Sequence, residues 1–313
     1  INGGETWKEV IGVDEWTGVT DIVMSPEDPD FLIAATWQRH RTVAAYLGGG
    51  PGSGLHRSTD GGETWERLKT GLPGSNMGKI GLGISPFDSD IIYAAITLDR
   101  RTGGVYTSFD RGSSWKKMSN AVAGGTGPHY YQELYVSPHS KGRIYIAGVR
   151  VQISEDHGKN FRTMKEVRKH SDNHSMNFIA SDPDYLLVGT DGGIYESFDL
   201  AENWKFVGNL PITQYYKLAL DDTEPFYNVI GGTQDNGTHA GPSRTVYSEG
   251  IRNADWHHIL GGDGHQPATE PGNPGIAYGE SQQGVMFRID RVTGEQVYIQ
   301  PQAGEGEPHE RFN

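Results

Sequence analysis

The run His170-Ser171-Asp172-Asn173-His174 holds the residues best suited to chemistry in this chain. In extended backbone, residues two apart face the same side, so His170, Asp172 and His174 are expected to converge on one point. Two imidazoles and a carboxylate suit zinc, manganese or iron, and a divalent metal with an open position would activate a water. The same three groups also suit a polar network that packs the mouth of a channel, and spacing alone leaves both readings open. Asp172 has a second candidate role. Paired with Asp263 it could supply acid and base to a glycoside, provided the two carboxyls stand about 5 to 9.5 Å apart. Asp191 and Asp235 are the reserves for that pair.

The elements that must position these residues are announced by a repeated phrase. Ser58-Thr59-Asp60-Gly61-Gly62-Glu63-Thr64-Trp65 recurs as Ser108-Phe109-Asp110-Arg111-Gly112-Ser113-Ser114-Trp115, as Ser154-Glu155-Asp156-His157-Gly158-Lys159-Asn160-Phe161 and as Ser197-Phe198-Asp199-Leu200-Ala201-Glu202-Asn203-Trp204. The chain opens inside a further copy at Asn2-Gly3-Gly4-Glu5-Thr6-Trp7, and a fainter one closes on Trp256. The closing aromatics recur about every 50 residues, the spacing of four-stranded propeller blades. Between them runs a second pattern, a short strand, a turn and an apolar strand, as in Ile22-Val23-Met24-Ser25-Pro26 leading to Phe31-Leu32-Ile33-Ala34-Ala35.

With the strands of each blade lettered A to D from the axis outward, the proline-bearing turn joins A to B and the aspartate phrase joins C to D. Both turns then lie on one rim, and alternation of strand direction sends the B–C loops and the D–A crossings to the other. The aspartates Asp60, Asp110, Asp156 and Asp199 are expected to accept backbone N–H bonds across their own turns. The aromatics Trp65, Trp115, Phe161 and Trp204 are expected to pack between neighbouring blades. Leu200-Ala201 stands where glycine is usual, which predicts a looser fourth turn.

The opposite rim collects the candidate ligand-binding residues. The long B–C insertion over 36–55 presents Trp37, Arg39 and Arg41, or is an ordinary surface loop. Its glycines lack the Gly-Lys-Ser/Thr ending of a phosphate-binding loop. Crossings and loops of later blades add His129, Tyr130, Tyr131, Asp191, Gln214, Tyr215, Gln234, Asp235, Asn236 and His265. Such a mixture of amide, carboxylate, imidazole and phenol suits a polar ligand, a carbohydrate or a peptide, or lines a water-filled channel.

Composition sets the limits. A net charge of −13 argues against nucleic acid and anionic membrane surfaces as partners, since both need a basic patch. There are no cysteines, which rules out disulfides and thiolate metal sites. The 44 glycines suit many short strands and tight turns. No run is apolar enough for a transmembrane helix.

The repeated phrase resembles the Asp-box, or BNR, repeat, and the chain resembles bacterial sortilin-like and BNR-repeat proteins often described as glycosyl hydrolases. Ala35-Thr36-Trp37-Gln38-Arg39, 48–55, His170 to His174, Gly232-Thr233-Gln234-Asp235-Asn236-Gly237 and Gly261-Gly262-Asp263-Gly264 carry the likeness. The resemblance implies a periplasmic or secreted propeller acting as a polar-ligand binder, a hydrolase or an assembly scaffold. Sialidase activity would need an Arg-Ile-Pro motif and an arginine cluster, and Phe287-Arg288-Ile289-Asp290 departs at the proline.

The expected fold is therefore an all-β propeller segment over 1–313 with about six blades, the first and last incomplete. It would belong to a propeller of seven or more blades that continues at both ends. The expected function lies on the rim opposite the Asp boxes.

Overall fold

The computed structural model describes residues 2–74, 76–98, 102–123, 130–210 and 212–306. The described chain is all-β apart from two single-turn 3-10 helices, and forms six four-stranded antiparallel sheets plus a two-stranded ribbon. The sheets are blades I to VI, over 17–67, 80–119, 134–163, 173–206, 217–260 and 268–298. Each runs A-B-C-D in chain order, as a propeller blade does. The sixth blade is complete, ending in the D strand Gln296–Tyr298. The chain also divides into two compact units, Ile1–Gly208 with blades I to IV and Asn209–Asn313 with blades V and VI.

In the first unit the B strands are apolar on both faces because both faces are covered. All six residues of Ile92–Thr97 are buried. Phe31, Ile33, Leu55, Leu82, Ile92 and Trp115 form one core between blades I and II. Tyr93, Val105, Ile144 and Ile146 form the next, and Tyr145, Ile153, Met176, Leu186 and Val188 the one after. Each fully buried aliphatic side chain contributes about 1.5–3 kcal/mol, so the blades are held to one another mainly by these faces. The outer D strands are short and charged, Glu66–Arg67 and Lys116–Ser119 among them, which blunts an edge open to pairing. In the second unit Ile230, Ala240 and Ala277 are buried between blades V and VI, and Arg291 reaches Asp221 Oδ2 at 2.7 Å.

Both turns of each blade in the first unit lie at one end, because they bond to each other. Gly61, Arg111, His157 and Leu200 donate their N–H groups to the carbonyls of Asp30, Asp90, Gly142 and Asp184 at 2.9–3.0 Å. Inside each Asp-box turn the serine hydroxyl donates to the aspartate Oδ1, at 2.7 Å for Ser58 and Asp60 and 2.9 Å for Ser197 and Asp199. The aspartate also accepts the N–H four residues on, at 2.9, 2.8, 2.9 and 2.8 Å in the four copies. The side chain of that same residue closes on Oδ2.

These donors hold the Asp60 carboxyl down to about 2, the Thr64 hydroxyl and N–H first and the Ser58 hydroxyl next. Asp156 also falls to about 2, its burial opposed and outweighed by the Asn160 and Ser154 donors. The fourth turn is as closed as the others. Leu200 at φ 51° and Ala201 at φ 72° take the left-handed conformations held elsewhere by Gly61, Arg111 and His157 at the first position and by Gly62, Gly112 and Gly158 at the second. Trp115, Phe161 and Trp204 pack into the three successive interblade cores, and Trp65 Nε1 closes its own turn on the Gly62 carbonyl at 2.9 Å.

Candidate functional site

In blade IV the segment before strand A is pinned from below. Lys169 is buried with its ammonium on Glu166 Oε1 at 2.7 Å, on the His170 carbonyl at 3.0 Å and on Asn173 Oδ1. Burial pushes the Lys169 amine below the usual lysine range, against the opposing pull of Glu166. Asn173 Nδ2 donates to the Gly148 carbonyl and to Glu166 Oε1, both at 3.0 Å. Sequence reading missed this network. Glu166 and Lys169 look like solvated charges in a polar crossing, and only the fold reveals that their side chains are fully buried.

Above that anchor the loop turns sharply. Asp172 adopts φ 61°, and strand A begins only at Asn173. The extended alternation expected through 170–174 is broken there, so the predicted His170/Asp172/His174 triad does not form. His170 Nδ1 faces the Ser171 carbonyl at 2.9 Å and stays 4.0 Å from Asp172 Oδ2. His174 turns instead to Asp191, Nε2 to Oδ1 at 2.7 Å. Among the described residues no group of three or more His, Asp or Glu side chains could hold a metal ion.

The structure assembles a different constellation. Tyr131 donates its hydroxyl to Asp172 Oδ1 at 2.6 Å, and Ser171 donates to Oδ2 at 2.5 Å. The Tyr131 ring stacks on His174 with centroids 5.4 Å apart and planes 19° from parallel. Tyr135 donates its hydroxyl to the His174 carbonyl at 3.0 Å, fixing the start of the strand. The Asp191 N–H bonds the Asp172 carbonyl at 3.2 Å, which brings the two aspartates side by side across the B–C loop. His170 packs against Gly192, where an added Cβ would sit 2.6 Å from the ring, so this approach needs glycine. The side chains of His174 and Asp191 remain about one-third exposed, and Tyr130 is half exposed beside Tyr131. The result is a partly open surface of one imidazole, two carboxylates and phenols, able to stack on a ring and to accept hydrogen bonds from hydroxyls.

The remaining candidates divide. Trp37 is buried, its Nε1 fastened to the Gly48 carbonyl at 2.9 Å, so it holds the insertion rather than presenting a face. Arg39 sits over the Trp37 ring at 5.4 Å, and Arg41 lies in the ribbon His40–Arg41 with Tyr46–Leu47. His129 lies outside the described residues.

The second unit has its own cluster. Tyr216 donates to Gln234 Oε1, and its ring meets His265 edge-on at 5.6 Å. Asp263 Oδ1 accepts the Asp235 N–H at 3.0 Å, Asn236 donates to the Gln234 carbonyl at 3.0 Å, and His265 Nδ1 lies 3.3 Å from Glu280. Tyr215 is half-buried and stacked on Trp256 at 6.0 Å, whereas its neighbour Tyr216 is exposed. Gln214 is exposed. Asp172 and Asp263 belong to different units.

No family model matches the chain. The xyloglucanase Xgh74A of Acetivibrio thermocellus is 34% identical over 134 residues, 39% of this chain and 15% of that protein. The chain thus spans about one-seventh of the length of this curated relative. The GH74 xyloglucanase of Xanthomonas campestris superposes on 94% of this chain and 47% of its own at 16% identity and a TM-score of 0.47. YCF48 of Cyanidioschyzon merolae covers 93% of this chain and 87% of its own at 11% identity and a TM-score of 0.41. The relatives and neighbours of this chain are β-propeller proteins, with glycoside hydrolases of the xyloglucanase type among them.

Proposed function

We propose that this chain is part of an extracytoplasmic propeller that binds carbohydrate at the rim opposite its Asp boxes, at the surface formed by Tyr130, Tyr131, Asp172, His174 and Asp191. The observation that carries this reading is the His174–Asp191 pair stacked on Tyr131 and left partly open. A ring face beside fixed carboxylates matches the alternation of C–H faces and hydroxyls on a pyranose. The partial likeness to a xyloglucanase supports a plant-type glucan as ligand, and a polymer of that kind is met outside the cytoplasm. Titration of the protein with xyloglucan oligosaccharides, with His174→Ala and Asp191→Asn as controls, tests the reading. Binding that both substitutions leave unchanged would sink it.

The side-by-side backbone of Asp172 and Asp191 favours a second reading, hydrolysis at the same surface. Here one carboxyl protonates the leaving oxygen and the other activates water or attacks the sugar. Release of reducing ends that disappears in Asp172→Asn and in Asp191→Asn would establish it. No release from any xyloglucan oligosaccharide would leave the binder.

A further inference from the structure

At the same end of the first unit, a cavity of about 370 Å³ opens between the B–C loop of blade I and the crossing to blade II. Its floor is apolar, with Leu68 and Met77 buried and Leu72 packed beside them. Among the described residues its walls carry Arg67 and Lys69 and no carboxylate, on a chain whose net charge is −13. Lys69 has no ion pair or side-chain hydrogen bond among the described residues, whereas Glu66 next to this wall is taken by Arg57.

The loop that roofs the cavity is held in place. Gly50 N–H bonds the Met77 carbonyl at 3.1 Å, and Gly52 N–H bonds Gln38 Oε1 at 3.0 Å. A Cβ at Gly49 would meet the Met77 carbonyl oxygen at 2.5 Å, so the loop can lie this close only as glycine. Arg67 Nη2 donates to the carbonyls of Pro51 and Ser53 at 2.7 and 2.8 Å, which fixes the plane of the guanidinium. An oriented guanidinium and an unpaired ammonium above an apolar floor are the groups that select a carboxylate borne on a ring.

We infer that this cavity is a subsite for an acidic sugar, in which Arg67 and Lys69 bind the carboxylate of a uronic acid and Leu68, Leu72 and Met77 take its C–H face. The inference rests on carbohydrate being the ligand class. The volume lies at the small end of ligand pockets and suits one sugar unit rather than a chain.

Calorimetric titration of the whole protein with trigalacturonic acid and with its methyl ester tests this, since the ester keeps the rings and removes the charge. The acid should bind roughly ten times more tightly than the ester, with a preference that shrinks in high salt. Lys69→Gln should reduce that preference several-fold, and Lys69→Arg should keep it. Lys69 is exposed, so neither change threatens folding. Equal binding of acid and ester, or a preference that Lys69→Gln leaves intact, overturns the subsite. If xyloglucan oligosaccharides still bind in that case, the glycan reading stands without it. If neither galacturonide nor xyloglucan binds, both fall.

Discussion

His174 Nε2 lies 2.7 Å from Asp191 Oδ1 while one face of the imidazole is taken by Tyr131. The ring is therefore clamped in orientation by one carboxylate and one aromatic, and its remaining edge is available to a ligand. Asp191→Asn should weaken oligosaccharide binding about tenfold by replacing a charge-assisted bond with a neutral one. Tyr131→Phe should cost less, because it keeps the stacked ring while losing the bond to Asp172. Calorimetry on the two variants reads the difference, and the opposite order would show that His174 is not the contact group.

The buried Lys169–Glu166 pair makes a stability prediction. Lys169→Met leaves the Glu166 carboxylate without its nearest cation, with Arg150 remaining at 3.8 Å, and should destabilise the fold by about 3–5 kcal/mol. Adding Glu166→Leu should recover part of that loss, since the second change removes the stranded charge. Urea denaturation of both variants measures the coupling. Additive losses would mean that the two side chains do not act as a unit.

The Asp boxes predict an acid limit. Asp60 titrates at about 2 in the folded protein, below the ordinary value of 3.8. A depressed carboxyl adds stability that is present above the unfolded value and is lost as pH falls toward the folded one. Melting temperature should therefore drop between about pH 4 and pH 2, and Asp60→Asn should flatten that slope while lowering stability at neutral pH. Ser108→Ala, which strands the buried Gly112 N–H, should cost about 1–3 kcal/mol at any pH.

Asp21 behaves in the reverse sense. It reaches from strand A of blade I to the Leu82 N–H of blade II at 2.7 Å, and burial raises its carboxyl above the ordinary range. The ionised form is therefore the costly one, and stability tied to Asp21 grows as pH falls through its raised value. The groups that act on it are Glu133, which adds to the rise, and Lys79, which opposes it. Asp21→Asn keeps an acceptor for Leu82 without the charge and should be neutral or stabilising at pH 7. Asp21→Ala should cost about 1–3 kcal/mol. A loss from the Asn variant as large as from the Ala variant would show that the charge itself is needed.

The blades were legible because their signals are local. Ser58 to Trp65 and its copies encode a turn whose donors and acceptors lie within a few residues, and the apolar runs near Ile33 and Ile92 mark strands covered on both faces. The segment around Asp172 was half legible. Composition picked out His170, Asp172, His174 and Asp191, but one positive φ at Asp172 re-aims every side chain around it, and no residue type announces that angle. Lys169, Glu166 and Asn173 were invisible for another reason. Their burial comes from packing against the Gly148 to Val151 loop of the preceding blade, a contact distant in sequence. Loop position gives no sign of the contacts that hold Trp37 and Tyr215, a bond to the Gly48 carbonyl in one case and a stack on Trp256 in the other.

The fourth Asp-box turn has a wider implication. Its serine, aspartate and asparagine close the same bonds as the other copies with leucine and alanine at the left-handed positions. Holding alanine there costs on the order of 1 kcal/mol, less than the closed bonds return together. The motif is thus a circuit of donors and acceptors, and its glycines are conveniences. A blade can drift at those two positions while its geometry stays put, so searches that demand glycine will undercount blades in chains of this kind.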